Sequence, residues 1–122
     1  MSKYVQWIEH KGKKILFNNY SGLEGEEYLR AIDETKQELL KQPVGSRVLT
    51  LTDTSNSRAT VATKDKAKEQ QAAIKEKRIV TCAAIVGVSG WQKVIAQLIR
   101  GDVYFAQSVE DAKDWLVEQA DE

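Results

Sequence analysis

Residues 53–57 of this sequence place three hydroxyl side chains and a carboxylate in one short polar run. A serine or threonine in such a run can accept a phosphoryl group, which would add about −1.5 to −2 charges. The same side chains can also contact a protein partner. Turns and helix N-caps commonly use these residue types, so an ordinary loop is the simpler explanation. The candidate switch or partner residues are Asp53, Thr54, Ser55 and Ser57.

Four basic residues follow this run and are candidates for facing an anion: Arg58, Lys64, Lys68 and Lys75. Steps of four and seven residues place the three lysines near one face of a helix. Such a face can meet a phosphate, an acidic partner or the anionic surface of a membrane, in peripheral contact only. A solvated outer helix face carries the same kind of charge, and that alternative stays open.

A strongly apolar stripe occurs further along the chain, at Trp91, Val94, Ile95, Leu98 and Ile99. Its spacing places these side chains on one face of a helix. The stripe is larger than its polar neighbour, the second predicted helix, can cover. It is a candidate lining for a small hydrophobic or lipid-like ligand held between the second and third predicted helices. Core packing and a homodimer interface are the alternatives.

Residue types that perform catalysis are sparse in this sequence. His10 is the single histidine, and Cys82 is the single cysteine and lies inside an apolar run. Neither a phosphate-binding glycine loop nor a Gly-x-Ser-x-Gly elbow occurs. We therefore expect a binding domain rather than an enzyme, with no metal and no cofactor.

Charge and composition limit the partners further. The chain has 18 basic and 18 acidic residues and a formal net charge of zero. This balance removes the general electrostatic attraction on which nucleic-acid binding depends, so we expect no nucleic-acid partner. No apolar stretch approaches the length of a bilayer span, so we expect a cytoplasmic protein without a transmembrane segment. The 122 residues match the commonest size of one domain, over 1–122.

Hydrophobic periodicity and turn residues predict the elements that position these candidates. The predicted strands cover residues 4–9, 14–20, 47–52, 79–86 and 103–105. The predicted helices begin near Ser21, Val61, Ser89 and Ser108, and each of the three serines is predicted to cap its helix. A turn at Lys11-Gly12-Lys13 is predicted to join the first two strands as a hairpin. The order ββαβαβαβα predicts an α/β domain with a mixed five-stranded sheet and four helices, because strands joined through a helix are usually parallel. The strand at 79–86 is apolar on both faces, which is typical of a strand covered by helices on both sides.

Several short stretches resemble a known family. They are residues 7–16 (WIEHKGKKIL), 20–23 (YSGL), 49–53 (LTLTD), 86–90 (VGVSG) and 110–116 (EDAKDWL). Together with the element order, they resemble the bacterial SpoIIAA-like proteins, also described as STAS/SEC14 domain-containing. The likeness extends over about residues 4–117.

This resemblance implies a non-catalytic binding domain with a STAS-type fold. The SEC14-like side of the family implies a hydrophobic pocket between helices and peripheral membrane contact. The anti-sigma-factor antagonist side implies a protein-interaction module whose phosphorylated serine lies in an Asp-Ser-Ser-Gly-like loop. Asp53, Thr54 and Ser55 are chemically similar to the first three positions of that loop, whereas Asn56 replaces the glycine.

Overall fold

Five strands and three helices make up the part of the chain that the computed structural model describes, which is residues 3–88, Lys93 and residues 103–120. The strands are β1 (Val5–His10), β2 (Lys13–Asn19), β3 (Arg47–Asp53), β4 (Val80–Val86) and β5 (Tyr104–Ala106). The helices are α1 (Gly25–Leu40), α2 (Val61–Glu76) and α3 (Val109–Ala120). The predicted helix that begins near Ser89 falls on residues 89–102, which lie outside the described residues apart from Lys93.

The strands form one mixed sheet in the order β1-β2-β3-β4-β5. β1 and β2 are antiparallel, and the remaining pairs are parallel, as predicted. Lys11 and Gly12 both have positive φ, at 51° and 81°. Two consecutive residues with positive φ form a type I′ turn, whose twist matches that of the two strands that it joins. The α/β class and the mixed five-stranded sheet are therefore confirmed.

Helices cover both faces of the sheet. On one face, Leu51, Ala84 and other buried strand residues pack against Leu116 of α3. The ring of Tyr104 stacks on that of Trp115 there, with the ring centroids 4.7 Å apart. On the other face, α1 and α2 lie side by side and contribute to a second apolar cluster. Coverage on both faces explains why β4 is apolar on both sides.

The start of α1 differs from the prediction that Ser21 caps it. The helix begins at Gly25, and its N-cap residue Glu24 makes no side-chain capping bond. The Ser21 Oγ and backbone N instead donate to Asn19 Oδ1, at 2.6 and 3.2 Å. Because the Ser21 hydroxyl is hydrogen-bonded to Asn19, it does not cap α1.

α2 and α3 both begin with a hydroxyl side chain that caps the helix. Thr60 and Thr63 form a reciprocal capping box at the start of α2. Ser108 Oγ accepts a hydrogen bond from the Asp111 backbone N at 3.0 Å, which confirms the predicted cap of α3. The remaining predicted bounds of helices and strands differ from the observed ones by one or two residues, as frayed ends commonly do. Within residues 3–88 and 103–120, no helix combines the length and apolar composition needed to cross a membrane.

Candidate functional site

A cavity of about 170 Å³ lies between the α1–α2 pair and the face of β2, β3 and β4. Polar and apolar side chains alternate around it. Its polar lining among the described residues includes Asn18, Tyr20, Thr35, Thr50, Thr52 and Thr81. Its apolar lining includes Ile32, Leu39, Ala67, Ala83, Ile85 and Val88.

Strand register creates the polar floor of this cavity. Side chains two residues apart in a strand share a face, which places Thr50 and Thr52 together on the cavity side. Asn18 is the register partner of Thr52 in β2, and Thr81 is the partner of Val48 in β4. Asn18, Thr50 and Thr81 are at most 7% exposed, so this sheet face contains a row of buried polar groups.

A hydrogen-bonded chain connects α1 to this floor. Tyr20 OH lies 2.5 Å from Thr35 Oγ1, which donates to Asn18 Oδ1 at 3.0 Å. Asn18 Nδ2 then donates to Thr52 Oγ1 at 3.1 Å. Thr35 Oγ1 also lies 3.2 Å from the Ala31 carbonyl oxygen, and either hydroxyl of the Tyr20–Thr35 pair can be the donor to the other. Among the described residues, no acceptor takes the hydroxyl hydrogen of Thr52 or the second amide hydrogen of Asn18.

The two tyrosines of the cavity are neutral hydrogen-bonding groups. Burial raises the pKa of Tyr20 far above its usual value, against the smaller lowering effect of its hydrogen bond with Thr35. Burial also raises the pKa of Tyr28, and a hydrogen bond with Ser57 opposes that shift. Both phenols therefore keep their hydrogens at neutral pH and do not act there as bases.

Lys64 is the one charged side chain among the described residues that line the cavity. It makes no ion pair with any residue in the described part of the chain. The lysines around it are paired across the two helices. Lys66 Nζ lies 3.7 Å from Asp33 Oδ1, and Lys36 Nζ lies 3.3 Å from Glu69 Oε1. The positive charge of Lys64 thus borders the cavity without a counter-charge from α1 or α2.

The polar loop at 53–57 lies at one end of this cavity, where β3 ends. Thr54 and Ser57 line it, and both hydroxyls donate to backbone carbonyls, of Val86 at 2.9 Å and of Thr54 at 2.7 Å. Asp53 Oδ1 accepts from the Ser55 backbone N at 2.9 Å. α2 begins at Val61, as predicted, after the cap at Thr60, so residues 58–60 separate the loop from the helix.

The four predicted anion-facing residues do not act as one group. Lys64 lines the cavity, whereas Lys68 and Lys75 are exposed on α2 and do not line it. Arg58 lies before the helix, exposed, and its Nε is 3.8 Å from Glu24 Oε2. Of this set, only Lys64 therefore belongs to the candidate site.

The predicted apolar lining at Trp91, Val94, Ile95, Leu98 and Ile99 lies outside the described residues. Val88 and Val103, which flank that segment in the sequence, both line the cavity. The polar floor was not predicted. The sequence did contain a signal for it. Thr50 and Thr52 alternate with leucines in β3, and threonines on one face of a buried strand indicate that this face meets water or a polar cavity.

The described lining combines three kinds of polar group with apolar side chains. Hydroxyls, amides and one ammonium group can hold and orient a molecule by hydrogen bonds and charge. In residues 3–88 and 103–120, no three histidine, cysteine, aspartate or glutamate side chains converge as a metal site would require. The chain matches no protein-family model, and no curated protein or solved structure is significantly similar to it. The resemblance to SpoIIAA-like proteins therefore stays a prediction.

Proposed function

We propose that this protein is a non-catalytic domain that binds one small molecule in the cavity between α1, α2 and the sheet. The observation that carries this proposal is the buried polar floor at Asn18, Thr50 and Thr81. Protein groups already compensate part of this burial, since Asn18 bonds to Thr35 and Thr52, and Thr50 Oγ1 donates to the Cys82 carbonyl at 3.4 Å. A sheet face that only packed against helices would be filled by apolar side chains. A cavity lined partly by polar groups instead suits a ligand that has hydrogen-bonding atoms of its own.

The volume limits the size of this ligand. An engineered apolar cavity of about 150 Å³ holds one benzene molecule. The cavity here, at about 170 Å³, therefore accepts a body of about one ring or a short branched chain. This proposal narrows the lipid-like ligand suggested by the sequence to a short molecule. A SpoIIAA-like identity would fit such a function, because that resemblance implies a binding domain without catalysis.

Filling the cavity should weaken the binding of ring-sized ligands. Ala67 lies on α2, lines the cavity and is half-buried, so Ala67→Leu adds three carbon atoms to the site. We expect affinity for ring-sized ligands to fall at least about tenfold, equivalent to about 1.4 kcal/mol. Ligand-observed NMR with a panel of ring-sized compounds measures this loss, and native mass spectrometry identifies molecules retained from the cell.

The matched control is Ala72→Leu, an exposed position on the same helix. It makes the same substitution on the same helix but outside the cavity, so it should leave ligand binding unchanged. If Ala67→Leu reduces the folded fraction, Ala83→Val is used in its place. Ala83 lies in β4, so this variant fills the same cavity from the sheet side. Unchanged binding in a folded Ala67→Leu or Ala83→Val protein would contradict the proposal.

A second candidate function is partner binding controlled by phosphorylation of the loop at 53–57. Two observations favour it. Asn56 has a φ of 60°, the conformation that the glycine of the antagonist loop favours. The Ser55 side chain packs directly on Gly87 in the loop after β4. A phosphate on Ser55 would have no room there and would force the two loops apart.

Ser55→Glu tests this second function, and Ser55→Ala is its control. The longer, charged side chain should displace the loop, whereas alanine should fit in place. We expect amide chemical shifts of Thr54, Ser57 and Gly87 to change in Ser55→Glu and to stay near the parent values in Ser55→Ala. Pull-downs from the source cell should then differ between the two variants. Identical recovered proteins with both baits would exclude the switch.

A further inference from the structure

The cavity has two chemically different ends. Thr54, Ser57 and Lys64 lie where β3 ends and α2 begins. Leu39, near the end of α1, and Thr81, near the start of β4, lie towards the opposite end. A ligand that fills the cavity therefore lies beside Lys64, the one charged residue of the described lining, at one end and beside uncharged described residues at the other.

Lys64 lines the cavity and has no ion-pair partner among the described residues, so a ligand in the cavity can supply one. Its neighbours on the α1–α2 seam, Lys36 and Lys66, already have Asp33 and Glu69 as partners. The hydroxyls of Thr54 and Ser57 give their hydrogens to backbone carbonyls, so of these three side chains only Lys64 still has hydrogens to donate. Lys64 lies in the first turn of α2, where the helix dipole also favours a negative charge.

From this arrangement we infer that the ligand is a small monocarboxylic acid, bound as its anion with the carboxylate at Lys64 and a ring-sized body inside the cavity. The inference rests on the proposed function and specifies its ligand class. A carboxylate has one charge and so matches the single ammonium of the described lining. Its oxygens can accept from the three N–H donors of Lys64, and an amine in the same place would repel Lys64.

A phosphate monoester fits this end of the cavity less well. It has about −1.5 to −2 charges and three acceptor oxygens. Among the described lining residues, Lys64 supplies one positive charge, and the hydrogens of Thr54 and Ser57 are taken. A dianion would leave charge and acceptors unpaired, which costs free energy in a partly buried site.

Two pairs of compounds with equal shape test the inference: benzoate against benzamide, and isovalerate against isovaleramide. Isothermal titration or ligand-observed NMR measures the four affinities for the parent protein. We expect each acid to bind about fivefold more tightly than its amide, since a partly exposed ion pair contributes up to about 1 kcal/mol. Benzylamine, which has the same ring and a positive charge, should bind more weakly than benzamide.

Lys64→Met removes the charge and keeps an unbranched side chain. In this variant the preference for acids should disappear, while the amides bind within about twofold of the parent. Lys68→Met, an exposed lysine one helical turn away, should keep the full preference. This pair separates a contact in the site from the general charge of α2.

Equal affinity for acids and amides, or a preference that survives Lys64→Met, would overturn the carboxylate inference and leave the cavity proposal standing. Failure of all five compounds to bind the parent at millimolar concentration would also overturn it. In that case the native mass spectrum and the cavity-filling variants still decide the proposed function independently.

Discussion

Ala84→Asp is expected to unfold the protein at 25 °C. Ala84 is fully buried in β4 and packs in the apolar cluster beneath α3. An aspartate there must either lose its charge or leave it without a partner, and it also overfills a packed site. We expect a loss of at least about 4 kcal/mol, a large share of the 5–15 kcal/mol that typically stabilises a domain. Circular dichroism and urea unfolding measure this loss.

Val80→Asp is the matched control for this change. Val80 belongs to the same strand and is 57% exposed, so an aspartate there remains hydrated. We expect its free energy of unfolding to lie within about 1 kcal/mol of the parent value. A cooperative Ala84→Asp transition close to that of Val80→Asp would contradict the burial of β4 beneath α3.

Gly87→Ala is expected to destabilise the protein by about 2–4 kcal/mol. Gly87 has a φ of +84°, which side chains other than glycine rarely adopt. An added Cβ would also lie 2.6 Å from the Ser55 backbone N and 2.7 Å from its Cα. Backbone cannot move aside as a flexible side chain can, so the loops after β3 and β4 would have to separate. Equilibrium unfolding in urea measures the loss.

Gly45→Ala separates the two causes. Gly45 has nearly the same φ, +85°, but an added Cβ there meets no atom within 4 Å. The control should therefore cost only the backbone strain, about 1 kcal/mol. Equal losses for the two variants would show that the contact between Gly87 and Ser55 does not stabilise the fold.

The Gly87 result also bears on the candidate site. The backbone N and the Oγ1 of Thr54 both donate to the Val86 carbonyl, at 2.8 and 2.9 Å, directly beside the glycine. Separating the two loops would break these bonds and move Thr54, which lines the cavity. We therefore expect Gly87→Ala to weaken ligand binding, whereas Gly45→Ala, at the opposite ends of the strands, leaves it unchanged.

Local patterns were sufficient to predict the elements that the structure describes. Alternating apolar residues, Lys11-Gly12 and the cap at Ser108 act over a few neighbouring residues, so the printed sequence contains their signals. The exception at the start of α1 has a local cause as well. Ser21 donates a hydrogen bond to Asn19, and this bond competes with capping of the helix. A capping pattern that considers Ser21 alone does not include this competing bond.

The candidate site depended on tertiary structure, because its residues come from separate elements. Asn18 and Thr52 meet only through the register of β2 with β3. Tyr20 and Thr35 join them only when α1 lies over that face. The sequence by itself determined the α/β class, the order of the described elements and the hydroxyl-rich loop. Only the packing decided that Lys64, among several similar lysines, borders a cavity without a counter-charge, because pairing across helices depends on distances that the sequence does not contain.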